Sequence, residues 1–168
     1  YFFIIFSSIF ITLYCYEAYL NFLSAKNRTK LDYFEDLKLN SSYKDLVVAS
    51  DPGNYIFKRN EIFPLSGISV SKTLHCNENG YYSIYDSDRY GFNNPNKEWE
   101  ETSIEYLLIG DSFTHGSCVN RPHDISSVLR NLSNKSVLNL GYNGNGPLIE
   151  YATLKEYFRS NVKNVLWI

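Results

Sequence analysis

Ser112, in the run Gly110-Asp111-Ser112-Phe113-Thr114, is the residue whose setting points most directly to chemistry. A serine hydroxyl is a weak nucleophile until a base takes its proton, and the acyl intermediate it forms needs donors aimed at the developing oxyanion. A serine just past a strand and at the entrance to a helix exposes its side chain and its own backbone N–H, and the helix dipole there favours negative charge. A second run, Asn139-Leu140-Gly141-Tyr142-Asn143-Gly144-Asn145-Gly146-Pro147, carries three glycines that permit close backbone approach and could supply another N–H donor. Each run alone also fits a tight turn with no function, because Gly, Asp, Ser and Asn populate such turns anyway. The pair at the ends of adjacent strands strengthens the chemical reading.

The histidines do not complete the set. His115 lies three residues after Ser112, where a helix is expected to lay its side chain along the surface with no carboxylate placed to orient it. His75 and His123 are expected to be solvated surface residues. No His, Cys, Asp or Glu grouping has metal-ligand spacing, and no cofactor is called for. Ser112 is followed by Phe113 and Thr114 and so lacks the G-x-S-x-G elbow, and no G-x-x-x-x-G-K-[ST] loop occurs. Cys76 and Cys118 could form one disulfide in an oxidising compartment or remain two separate thiols; the sequence leaves both open.

These residues need strand ends to hold them. From Ile104 onward strands alternate with helices, which is the grammar of a parallel sheet with covering helices. Ile104 to Ile109, Val137 to Leu140 and Val162 to Ile168 are the expected strands. The first helix after Arg121-Pro122 is expected to turn Ile125, Val128, Leu129 and Leu132 onto the sheet, and the helix opened by Pro147 to turn Leu148, Tyr151, Leu154 and Phe158 inward. The β-α-β-α-β order sets the first two strand ends side by side, where ligand sites of open α/β sheets form. Upstream, the alternation over Ile68 to Cys76, the turn Asn77-Glu78-Asn79-Gly80 and the resumption at Tyr81 to Tyr85 predict a β-hairpin, and residues 86–95 a loop of fixed shape.

Leu108-Ile109-Gly110-Asp111-Ser112-Phe113-Thr114-His115-Gly116 resembles the first sequence block of the SGNH (GDSL-type) hydrolases, and the run from Asn139 resembles the second. The resemblance covers residues 104–168. It implies a flavodoxin-like three-layer α/β/α parallel sheet, Ser112 as nucleophile, an oxyanion hole made by the N–H groups of Ser112 and Gly144, with Gly141 as the less favoured alternative, and Asp111 bracing the turn. The family's third block supplies an Asn and its last block an Asp and a His; neither is present. The implied activity is that of a serine esterase or O-acyltransferase working through an acyl-serine on an ester, an acetyl ester of a surface polysaccharide first and lipid esters second. A non-catalytic module of the same fold, serving binding or assembly, is the alternative.

The remainder of the chain frames this domain. In 168 residues, 44% hydrophobic and 17% aromatic, there is material for one compact domain and a small accessory region. Residues 1–24 are nearly all apolar and match the roughly 20 residues a bilayer-crossing helix needs, so a membrane anchor or an uncleaved signal is expected. Residues 25–46 then form a linker, 47–102 a β-rich lead-in, and 103–168 the incomplete hydrolase-like part. The anchor would put that part at the periplasmic or outer surface, with an ester-bearing small molecule or glycan as partner. A net charge of −2 without a basic face argues against nucleic acid. The chain starts at Tyr1 rather than Met and stops in the apolar Val165-Leu166-Trp167-Ile168, so a piece of a longer protein is expected, with the general base beyond Ile168.

Overall fold

The computed structural model describes residues 2–25, 29–50, 63–78 and 80–168, and the chain divides into two compact units, Tyr1–Asp36 and Leu37–Ile168. In the first unit a single helix, α1 (Phe2–Ala25), is long and apolar enough to cross a membrane as an anchor or to serve as a signal sequence. Phe2, Phe6 and Phe10 stack along it at the i, i+4 spacing. A second helix, α2 (Lys30–Lys38), starts with a capping box: the Asp32 carboxylate accepts from the Thr29 N–H at 2.9 Å while the Thr29 hydroxyl accepts from the Asp32 N–H at 3.2 Å.

Among the described residues the second unit is mixed α/β with two three-stranded sheets. In the smaller, β1 (Leu46–Val48) pairs parallel with β2 (Lys72–Leu74), which pairs antiparallel with β3 (Ile84–Asp86) in the register Leu74 to Ile84. The hairpin expected from the alternation is therefore present, and β1 is an added partner whose three residues are too few to show a period.

The larger sheet is all parallel, in the order β5-β4-β6, with β4 (Ile104–Ile109) central, β5 (Val137–Asn139) on one side and β6 (Val162–Trp167) on the other. Leu107, Leu108 and Ile109 are fully buried, as a central parallel strand covered on both faces requires. Phe92, Trp99, Ile104, Leu107, Ile109, Leu138 and Leu140 make the core, with Leu154 and Tyr157 of α5 (Pro147–Tyr157) packed on it.

Both covering helices are rotated from their expected faces. In α4 (Ile125–Ser133) the buried residues are Ser126 and Ser127, while Ile125 and Val128 are exposed and Leu132 is 82% exposed. The cause is polar: Asp124 caps the helix by accepting from the Ser127 N–H at 2.9 Å, takes the Ser126 hydroxyl on the same oxygen, and so turns both serines inward. Arg130 on the same helix must also reach the Val137 carbonyl. In α5, Glu150 and Thr153 are buried and Leu148 is 85% exposed, because Glu150 accepts from the Trp167 indole N–H of β6 at 2.5 Å.

Candidate active site

At the end of β4, Gly110 admits the next helix at very short range: a Cβ there would lie 2.2 Å from the Thr114 hydroxyl. Asp111 follows as the N-cap of α3 (Ser112–His115), its Oδ1 accepting from the Phe113 N–H at 2.9 Å. Gly116 ends the helix in the left-handed conformation and donates to the Phe113 carbonyl. Ser112 is thus the first residue of a four-residue helix, half-buried, and lines a cleft of about 480 Å³.

Such a short helix gains little from its own ladder, and side chains from elsewhere hold it. Asn139, the last residue of β5, donates from Nδ2 to the Thr114 carbonyl at 2.6 Å and accepts from the Gly141 N–H on Oδ1 at 2.8 Å. Asn93 donates to the His115 carbonyl at 3.0 Å. Gly141 closes against the helix so tightly that a Cβ would meet the His115 nitrogen at 2.6 Å. The Ser117 hydroxyl donates to Asn143 Oδ1 at 3.2 Å, tying the second turn to the residue after α3.

This clamp separates the two candidate oxyanion glycines. The Gly141 N–H is consumed by Asn139, whereas the N–H groups of Ser112 and Gly144 have no acceptor among the described residues. Gly144 stands in an exposed turn at φ +76°.

The histidines divide differently from expectation. His115 is 1% exposed rather than lying on the surface: its Nδ1–H donates to the Gly141 carbonyl at 3.3 Å, and its ring meets those of His75, Tyr85 and Tyr142 edge-on. Burial, with His75 alongside, pushes its pKa down to about 3, so the ring is neutral and acts as a packing group. Burial likewise pushes the Tyr85 hydroxyl well above its usual range. His75 is also buried, contrary to expectation, because the hairpin folds it onto His115. His123 is exposed on the wall of the Ser112 cleft. Among the described residues no imidazole is hydrogen-bonded to Ser112, and no group of three His, Cys, Asp or Glu side chains converges to hold a metal.

Two features complete what the sequence reading left open. Cys76 and Cys118, left open as bridged or free, form a disulfide, and both line the Ser112 cleft. The loop 86–98 closes the free edge of β5. Glu98 accepts from the Val137 N–H at 3.2 Å, Arg130 donates to the Val137 carbonyl at 2.6 Å, and Asn94 accepts from the Asn139 N–H at 2.8 Å and donates to its carbonyl at 2.7 Å. The loop itself is wound around Asp88, which accepts from the Tyr90 and Phe92 N–H groups, the Asn94 amide and the Trp99 indole. The clustering of Asp, Gly and Asn around Tyr90 and Phe92 was its signal.

No family model, no curated protein and no solved structure matches this chain.

Proposed function

We propose that Ser112 is the nucleophile of an SGNH-type serine esterase or O-acyltransferase, with the Ser112 and Gly144 N–H groups as oxyanion donors and Asp111 as the brace of the nucleophile turn. The observation that carries this reading is the unequal use of the two strand-end turns. The Asn139 side chain and the Gly141 N–H are spent on clamping the turns together, while the N–H groups of Ser112 and Gly144 are left uncommitted. Donors set in advance and unspent in the resting fold are what oxyanion stabilisation demands.

The order β5-β4-β6 supports a flavodoxin-like doubly wound sheet, whose first three strands run second, first, third. With α1 as membrane anchor, the domain would act at the periplasmic or outer surface on an ester-bearing glycan or small molecule, an acetyl ester of a surface polysaccharide being the first candidate. By the family resemblance the imidazole and carboxylate of the triad belong to a C-terminal block that residues 104–168 do not contain.

Turnover of 4-nitrophenyl acetate by the full-length protein tests this. Loss of at least a thousandfold in Ser112→Ala is expected, and equal activity in that variant would remove Ser112 from the role. A second reading, a binding or assembly module of the same fold, draws on the absence of any imidazole hydrogen-bonded to Ser112 among the described residues. No turnover by the full-length wild type would favour it.

A further inference from the structure

The disulfide joins two parts of the second unit that meet at the cleft. Cys76 leaves β2 toward the hairpin tip, and Cys118 follows α3 by three residues in the left-handed conformation, φ +60°. Cys76, Glu78, Cys118 and Val119 all line the cleft that holds Ser112. The loop after α3 is also tethered to the smaller sheet by hydrogen bonds. Asn120 accepts from the Ile84 N–H at 3.1 Å, and Arg121 donates to the Asp86 carbonyl at 2.7 Å. Both fall on β3. The hairpin tip has the disulfide as its covalent link to that loop, together with the backbone pairing of His75 and Cys76 to Ser83 within the hairpin.

Breaking the S–S bond would therefore leave the two sheets joined through β3 and through His75 on His115, and loosen the tip beyond His75 that carries Cys76 and Glu78. We propose that the Cys76–Cys118 disulfide is a positioning element of the Ser112 cleft, whose wall is complete only in the oxidised chain and opens when a dithiol reduces the bond. The step is balanced: the dithiol gives two electrons and two protons, the S–S bond becomes two thiols, and the dithiol closes to its own disulfide. The cleft then binds substrate best in an oxidising compartment and more weakly, without loss of the fold, in a reducing one.

The kinetic part of this inference rests on Ser112 as nucleophile; the structural part does not. The experiment uses full-length protein carrying Cys15→Ser, oxidised, reduced with dithiothreitol, and as the Cys76→Ser/Cys118→Ser double variant. Amide hydrogen exchange should rise at least tenfold in residues 76–82 on reduction and in the double variant, and stay within twofold in β4 and β5. With 4-nitrophenyl butyrate, KM should rise at least fivefold while kcat changes less than twofold, and reoxidation with oxidised glutathione should restore KM for the reduced protein only. Unchanged exchange in 76–82 overturns the proposal, as does equal acceleration through β4 and β5, which would make the bond a general staple. If the oxidised protein turns over no ester, the nucleophile reading fails alone and the exchange comparison still decides the role of the disulfide.

Discussion

Asn139 and Thr114 are joined by a 2.6 Å hydrogen bond from the Asn139 amide to the Thr114 carbonyl, which fastens the end of β5 to the helix that presents Ser112. The other end of the same amide holds the Gly141 N–H, so one buried side chain sets the spacing between the two strand-end turns. Asn139→Ala strands both partners in a buried place, at a cost of about 2–4 kcal/mol from two unsatisfied groups. Asn139→Asp keeps the acceptor for Gly141 but sets a carboxylate against the Thr114 carbonyl, so it should destabilise comparably. Urea denaturation of both variants checks this; a loss under about 0.5 kcal/mol in Asn139→Ala would show that the clamp is dispensable.

Gly141 and Gly146 offer a contrast within one turn. A Cβ at Gly141 would fall 2.5 Å from Thr114 Cβ and 2.6 Å from the His115 nitrogen, whereas a Cβ at Gly146 meets nothing within 4 Å. Gly141→Ala has to push α3 away from β5, for about 2–3 kcal/mol or more. Gly146→Ala, at an extended N-cap with φ −123°, should stay within about 0.5 kcal/mol of the wild type. Thermal unfolding of the two variants side by side reads the difference.

How far the sequence disclosed this arrangement depended on what fixed each element. β4, β5 and β6 could be found because Tyr106 to Ile109, Val137 to Leu138 and Val165 to Trp167 are apolar runs bounded by turn formers, and the hairpin because apolar and polar residues alternate in sequence on either side of the turn formers Asn77 to Gly80. The faces of α4 and α5 could not be found by period: Ser126 and Ser127 are turned inward by the local N-cap Asp124, which overrides the apolar stripe, and Glu150 is buried by its bond to Trp167, 17 residues away and near it only after folding. Ser112, Asp111 and Gly144 stood out because their signal is local, a residue type in a turn. The Asn94, Glu98 and Arg130 bonds to β5 cross up to 45 residues of chain and leave no local pattern.

Arg130 and Glu98 form an ion pair of 3.3 Å with side chains only 12% and 5% exposed, and both are also bonded to Val137. Removing the cation alone leaves a buried carboxylate without its cationic partner and the Val137 carbonyl without the Arg130 donor. Arg130→Met should cost about 3–5 kcal/mol. Adding Glu98→Gln, which keeps an acceptor for the Val137 N–H and removes the stranded charge, should recover part of that. A double-mutant cycle by chemical denaturation measures the coupling, and strictly additive losses would mean that the two side chains act on β5 independently.

His115 makes stability depend on pH in a predictable direction. In the unfolded chain it takes a proton near 6.5, and in the fold burial and the neighbouring His75 hold it neutral down to about 3. Between those values the unfolded state binds more protons, so His115 contributes in full above pH 6.5 and its contribution is lost as pH falls toward 3. The slope approaches about 1.4 kcal/mol per pH unit, or about 2–3 kcal/mol between pH 6.5 and 4.5. Asp124, whose pKa is lowered because hydrogen bonds from Ser126 and Ser127 outweigh the opposing effect of burial, loses stability in the same direction, so the wild type alone does not isolate the imidazole. His115→Phe does: it keeps an aromatic ring among His75, Tyr85 and Tyr142, gives up the bond to the Gly141 carbonyl, and cannot take a proton. The variant should be less stable than the wild type at pH 7 by about 1 kcal/mol. That gap should close or reverse by pH 4.5, where the wild type has lost the His115 contribution; a gap that is the same at both pH values would mean the imidazole is not held neutral in the fold.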